Sequence, residues 1–409
     1  MFQVAAVLFA LILIPILLKC KVPNGWALII AAAAAGILGR LPLMTVLQSF
    51  LQVFTEWSNL SSVLIIIEIA TMGALMTRYG LFKRAEEALK AILPRPRLII
   101  MLLPSVIGML QVPGGAALSA PFCNNLGSDM GLTRSQRANT NVICRHVFMM
   151  CAPFSTSVLI VTGLAPQLNL PLFLLTTIAF TAVMLLGNYV FFLRKSKEIQ
   201  LPRVPAAERA RQLGVFFLMI SPIWVVVALK LVFGLHYTLA VPVGVLVVYL
   251  LCDRKDFLKN LAASYNLKLT IMIVGIYFFQ NVIKNMAELQ QLVYQLLTNG
   301  SEVVFMAVIA LAAVLFGLAS GLMYTSLGIL APIIVSVSGG GMPLLVNMFY
   351  VFCWSYIGYV FSPLHMCQIL SDQECGCTIG ERYRTYIPMI LLLLVDVVAI
   401  YGLLTLLLL

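Results

Sequence analysis

Apolar stretches alternate with short polar linkers along the whole chain, at about residues 2–18, 25–39, 60–77, 98–121, 141–162, 171–193, 213–232, 238–252, 269–283, 303–336, 344–362 and 386–409. A helix needs about 20 residues to cross the hydrocarbon of a bilayer, and most of these stretches suit one crossing. Two do not. The stretch 303–336 is too long for one span and too short for two with a turn. The stretch 98–121 is divided by Pro113-Gly114-Gly115 into pieces that cannot each cross. Lipid offers the backbone no hydrogen-bond partner, so a break at membrane depth must be buried in protein or line a cavity. Both stretches therefore read as re-entrant hairpins that enter and leave on one side.

Charge tests that assignment, because cytoplasmic loops collect Lys and Arg. With Lys19 and Lys21 inside and both hairpins in place, every one of the 26 basic residues except Arg40, Lys230 and Lys284 falls on the cytoplasmic face. Making either hairpin a full crossing would reverse all the loops after it. The expectation is ten spanning helices, two re-entrant hairpins and both termini external.

The order of elements then repeats. Three spans, a hairpin from inside and two spans fill 1–193; three spans, a hairpin from outside and two spans fill 213–409. A polar linker at 194–212, carrying Pro202 and Pro205, joins them. Ala120-Pro121 recurs as Ala331-Pro332 and Pro153 as Pro363. The fold class expected is an all-α polytopic membrane protein, an inverted-topology repeat of two halves with five spans and one hairpin each. Secondary transporters are built this way, with their sites at the midplane where broken helices converge.

Composition agrees: 62% of the 409 residues are hydrophobic and 10% charged, outside the range of a globular domain with one core. The net charge of +11 is dispersed in linkers rather than along one polar face, which argues against a nucleic-acid partner and for the lipid bilayer. No small-residue cleavage site follows the first apolar stretch, which reads as a retained helix. Nine cysteines show no metal-ligand spacing, and Cys375-Gly376-Cys377 is the one close pair. No metal and no cofactor are expected. Motifs of hydrolases and of phosphate-binding loops are absent, so an enzyme is not expected.

Four breaks are expected to meet at the site. They are Pro113-Gly114-Gly115, the 152–157 interruption with Pro153, the second hairpin tip at Ser320-Gly321, and Ser362-Pro363-Leu364-His365. Proline removes a helix donor and frees a carbonyl one turn back. Half-helices that start there present free N–H groups, and those that end there present free carbonyls. The hydroxyls of Ser119, Ser155, Thr156, Ser157, Ser320, Thr325, Ser326 and Ser362 are candidates for substrate or ion contact, or for bonds to their own backbone or a neighbouring helix. His365 is either a proton carrier or a side chain satisfied by a freed carbonyl. Glu68, amid isoleucines, is either a proton-coupling acid or a neutral carboxyl bonded to backbone. Arg145 and His146 lie about 10–12 Å before Pro153 along a helix; they suit the cytoplasmic end of the pathway, or a headgroup contact. Asp396 reads as a structural pair, and Gln280 and Asn281 as substrate or cross-helix contacts. The stretches 43–54 and 290–297 read as surface amphipathic helices.

The run Val112-Pro113-Gly114-Gly115-Ala116-Ala117-Leu118-Ser119-Ala120-Pro121, then Cys144-Arg145-His146, then Ser362-Pro363-Leu364-His365-Met366-Cys367, resembles the signature stretches of the prokaryotic membrane family called domain of unknown function 401. That family is grouped with the ion transporter superfamily of gluconate permeases, citrate carriers, divalent-anion/sodium symporters and arsenite pumps. The resemblance implies an inverted-repeat carrier, often a homodimer, that uses H+ or Na+ to move a small organic anion. The divalent-anion symporters carry Ser-Asn-Thr at their hairpin tips, where this chain has Pro-Gly-Gly and Ser-Gly-Leu, so their ion sites do not transfer. The expected function is a secondary active transporter of a small anionic metabolite; the alternative is a passive anion channel or efflux pore.

Overall fold

A computed structural model describes residues 2–93, 95–108, 116–199, 204–288 and 302–409, and among them every regular element is helical. The Pro113-Gly114-Gly115 turn and the stretch 290–297 lie outside the described residues. In chain order the first half holds α1 (Phe2–Lys19), α2 (Asn24–Leu38), α3 (Leu43–Thr55), α4 (Trp57–Arg78), α5 (Leu81–Ile92), α6 (Pro96–Gly108), α7 (Ala116–Asp129), α8 (Arg134–Arg145), α9 (Val147–Cys151), α10 (Thr156–Leu164) and α11 (Leu170–Asn188), which runs into a π-helical turn, Tyr189–Leu193. The second holds α12 (Ala206–Met219), α13 (Ser221–Phe233), α14 (Tyr237–Leu251), α15 (Phe257–Ala263), α16 (Leu267–Lys284), α17 (Glu302–Ser320), α18 (Met323–Ser338), α19 (Gly341–Val360), α20 (Met366–Cys375) and α21 (Ile379–Leu408).

Among the described residues seven helical stretches are long and apolar enough to cross a membrane, or eight if the bent pair α12–α13 counts as one. Hydropathy along the chain predicts ten, and six of the seven are among them; the seventh, Val303–Ser320 in α17, is expected as one leg of the second re-entrant hairpin but is by itself long enough to cross. The shortfall has a local cause, since α2 and α14 have 15 residues each, about 22 Å of helix. The stretch 213–232, expected as one span, divides instead at Ile220 between α12 and α13, which bend by 60°. α12 begins at Ala206, inside the expected linker 194–212. The members of the first hairpin, α6 and α7, have 13 and 14 residues, and neither length reaches across about 30 Å of hydrocarbon.

Local rules set the helix ends. Thr133 and Gln136 form a capping box on α8, Gln136 N–H donating to Thr133 Oγ1 at 3.3 Å and Thr133 N–H to Gln136 Oε1 at 3.0 Å; Thr378 and Glu381 do the same for α21. α5 arises within a basic linker because Leu81, Phe82, Ala85, Ala88 and Leu89 recur on one helical face and are buried, and that helix packs on α12. α3 is apolar on both sides. It buries Val46 and Val53 and exposes Leu43, Met44, Leu47, Leu51 and Phe54, which suits a helix packed on protein on one side and facing lipid on the other.

α19 is the centre of the packing: 89% of its spanning window is buried, against 17% for α21 at the periphery. Contacts recur between the halves. α2 packs on α16 as α14 packs on α4, α1 on α2 as α13 on α14, and α7 on α20 as α18 on α10. The pairs α6–α7 and α17–α18 each pack on a third helix, α8 and α19 respectively.

Candidate substrate site at the helix breaks

The first break follows α9. Pro153 stands between Ala152 and Ser155, and Ser155 restarts the helix by accepting Val158 N–H at 3.2 Å while donating to the Met149 carbonyl at 3.0 Å. The second break follows α19, and His365 occupies the N-cap position of α20 without capping it. The tip of the second hairpin is joined to this break. Ser362 Oγ donates to the Leu318 carbonyl at 2.6 Å and accepts Leu364 N–H at 3.1 Å. Gly321 sits at φ +64°, and a Cβ there would come within 2.8 Å of the Leu364 carbonyl group. Tyr324, in the first turn of α18, bonds to Thr156 at the start of α10, so the tip also touches the first break.

Between the breaks lies a buried polar cluster. His146 Nδ1 is 2.5 Å from the Val142 carbonyl and Nε2 is 3.0 Å from Tyr359 Oη. A carbonyl only accepts, so Nδ1 carries the proton and Nε2 accepts from the tyrosine hydroxyl. The His365 ring packs tilted against Tyr359 and edge-on against His146, with centroids 4.1 Å and 4.8 Å away. His365 is 1% exposed, and neither of its ring nitrogens has a well-formed hydrogen bond among the described residues. Arg145 is 3% exposed and within electrostatic reach of His146, Tyr359 and His365. Its Nη1 has no hydrogen-bond partner among the described residues, and none of their carboxylates pairs with it. A buried cation without a counter-charge is costly, and an anion beside it would offset that cost.

The surrounding helix ends favour the same sign. Ser119, Ser157 and Thr325 lie in the first turns of α7, α10 and α18; each is at most 1% exposed and each hydroxyl is unpartnered among the described residues. First turns carry free N–H groups and the positive end of the helix dipole. Below the second break, Arg382 forms a buried pair with Asp372, Nη2 to Oδ1 at 2.7 Å, and donates to the Gln368 carbonyl at 3.3 Å. Gln368 in turn bonds the Val360 carbonyl that the break frees. A cavity of about 400 Å³ adjoins them, lined by Pro363, Gln368, Asp372, Thr378, Arg382 and Tyr383.

The candidates thus separate. Ser155 is spent on capping; Ser320 bonds the Phe316 carbonyl at 2.7 Å and Leu322 N–H at 3.2 Å. Ser326 bonds the Ala313 carbonyl and Ser355, and Ser362 holds the tip to the break. These four hydroxyls bond backbone or a neighbouring hydroxyl at the breaks. Arg145 and His146, expected at the cytoplasmic end of the pathway or at a headgroup, are buried beside His365, where α8 packs on α20. Glu68 has an unpartnered Oε2. It precedes by one turn Met72, which packs on Gly244 of α14, so it faces α14 rather than the breaks. Asp396 Oδ2 likewise has no partner among the described residues, where a structural pair was expected. Gln280 and Asn281 make cross-helix bonds, to the Leu164 carbonyl at 3.2 Å and the Ser49 carbonyl at 3.0 Å. Sequence reasoning misses Tyr359, whose neighbourhood no local signal marks, and names Cys367 only as the end of the Ser362–Cys367 stretch.

A family model described as protein of unknown function (DUF401) matches residues 2–407. The chain belongs to that family. No curated protein matches it. Its several long apolar helices mark it as a multi-pass membrane protein.

Proposed function

We propose that the protein is a secondary active transporter of a small, anionic organic metabolite, driven by H+ or Na+ and working by alternating access around the two breaks. The observation that carries this reading is Arg145, buried without a carboxylate partner among the described residues and near His365, while hydroxyls in the first turns of α7, α10 and α18 are also unpartnered among them. A carboxylate there would accept from Arg145, from His365 when its facing nitrogen is protonated, and from Ser157 or Thr325. The recurrence of packing between halves supports an inverted repeat, and the short α6 and α7 support a re-entrant first hairpin. Such repeats rock against each other around a fixed midplane site. The cavity below Pro363 suits one mouth of the pathway. Glu68, off the substrate site with an unpartnered oxygen, is the proposed coupling acid.

Reconstituted protein should accumulate one member of a carboxylate panel under an imposed H+ or Na+ gradient. Absence of flux across the panel under both gradients would refute the proposal. Gradient-independent flux with unitary conductance would establish the channel reading in its place.

A further inference from the structure

We propose that His146, His365 and Cys367 form a three-ligand site for a soft divalent metal ion of the zinc class. One ligand atom from each lies within 4.8 Å of the others. A tetrahedral ion with bonds of about 2.0–2.3 Å needs ligand atoms about 3.3–3.7 Å apart, so side-chain shifts of about 1 Å bring the three together. The donor set, two imidazoles and a thiolate, is the one such ions select over Mg2+ or Ca2+. His146 is already arranged as a ligand: its Nδ1–H is held by the Val142 carbonyl at 2.5 Å, the outer bond that orients ligating histidines. Nε2 exchanges its contact with the Tyr359 hydroxyl for the metal. His365, buried and unpartnered at both nitrogens among the described residues, gains a ligand bond. On binding, the Cys367 S–H bond breaks, the thiolate bonds the ion and one proton passes to solvent, with no change of oxidation state. Three protein ligands leave a fourth position for water or an anion. The neighbouring Arg145 opposes a bare dication and favours an anion there.

The ligands come from the α8–α9 junction and from the start of α20, so a bound ion fastens the first half to the second break. An ion that binds one arrangement and not the others holds the protein in that arrangement. Occupancy therefore blocks substrate movement, a consequence that rests on the transporter reading, whereas metal binding does not.

The test uses the purified full-length chain titrated with Co2+ alone. Wild type should show tetrahedral cobalt bands together with thiolate-to-cobalt charge transfer. Cys367→Ser should lose the charge-transfer band, and His365→Gln should bind more weakly by at least the roughly 10–100-fold that changes around ligands cost. Cys375→Ser/Cys377→Ser should keep both signals. Monodisperse elution of each variant excludes misfolding as the cause. No charge transfer in wild type, its survival in Cys367→Ser, or its loss in Cys375→Ser/Cys377→Ser overturns the site. In vesicles, micromolar-to-millimolar Zn2+ should stop uptake by wild type, and a chelator should restore it. Metal bound with uptake unchanged leaves the site standing and overturns the clamp.

Discussion

Gly321 gives the sharpest test of how the second hairpin meets the second break. Its φ of +64° alone makes a side chain unfavourable, by about 1–2 kcal/mol for an L-residue in the left-handed region. Gly234 has nearly the same angle, φ +65°, and a methyl group added there would meet nothing within 4 Å. Gly234→Ala therefore measures the conformational cost by itself. Gly321→Ala adds a Cβ 2.8 Å from the Leu364 carbonyl carbon and oxygen, backbone atoms that cannot swing aside, for which overpacking adds about 1–3 kcal/mol. The expected penalties are about 1–2 kcal/mol at Gly234 and about 2–5 kcal/mol at Gly321. Apparent Tm values in one detergent at one scan rate, followed by tryptophan fluorescence, compare the two variants on equal terms. Gly321→Ala should melt well below Gly234→Ala and lose transport, because the break must move to relieve the contact. Equal Tm shifts with equal activity would refute the docking of tip on break.

Arg145→Gln should weaken substrate binding by about tenfold to 100-fold, the worth of a charge-assisted hydrogen bond, while the ligand-free variant melts no lower than wild type because an uncompensated charge is gone. A large fall in ligand-free Tm would make Arg145 structural. Glu68→Gln should abolish gradient-driven uptake while substrate exchange continues, and normal uptake would remove Glu68 from coupling. Asp372→Asn leaves the Arg382 charge buried without its partner, at a cost of about 3–5 kcal/mol; an unchanged Tm would show that water reaches Arg382.

Membrane character and most helix positions can be read from the sequence, as can the breaks at Pro153 and Pro363, whereas the break at Ile220 cannot and Pro113-Gly114-Gly115 lies outside the described residues. Apolar length, proline and glycine act locally, and lipid punishes any departure from helix wherever it falls. α5 was legible too: the apolar spacing of Leu81, Phe82, Ala85, Ala88 and Leu89 stands in the sequence, within a linker whose charge masks it. Tertiary structure decided which polar groups stay free. Ser155, Ser320, Ser326 and Ser362 look like Ser157 and Thr325 in sequence, yet the first four are consumed by carbonyls, N–H groups and a neighbouring hydroxyl at the breaks, and the last two have no partner among the described residues. Arg145 stands at the end of a basic cluster, and only the packing of α8 against α20 and α21 buries it beside Tyr359 and His365. A hydrogen bond or an unpaired charge depends on atoms far away along the chain. Hydropathy reports the solvent each segment prefers and carries no record of which neighbour it meets.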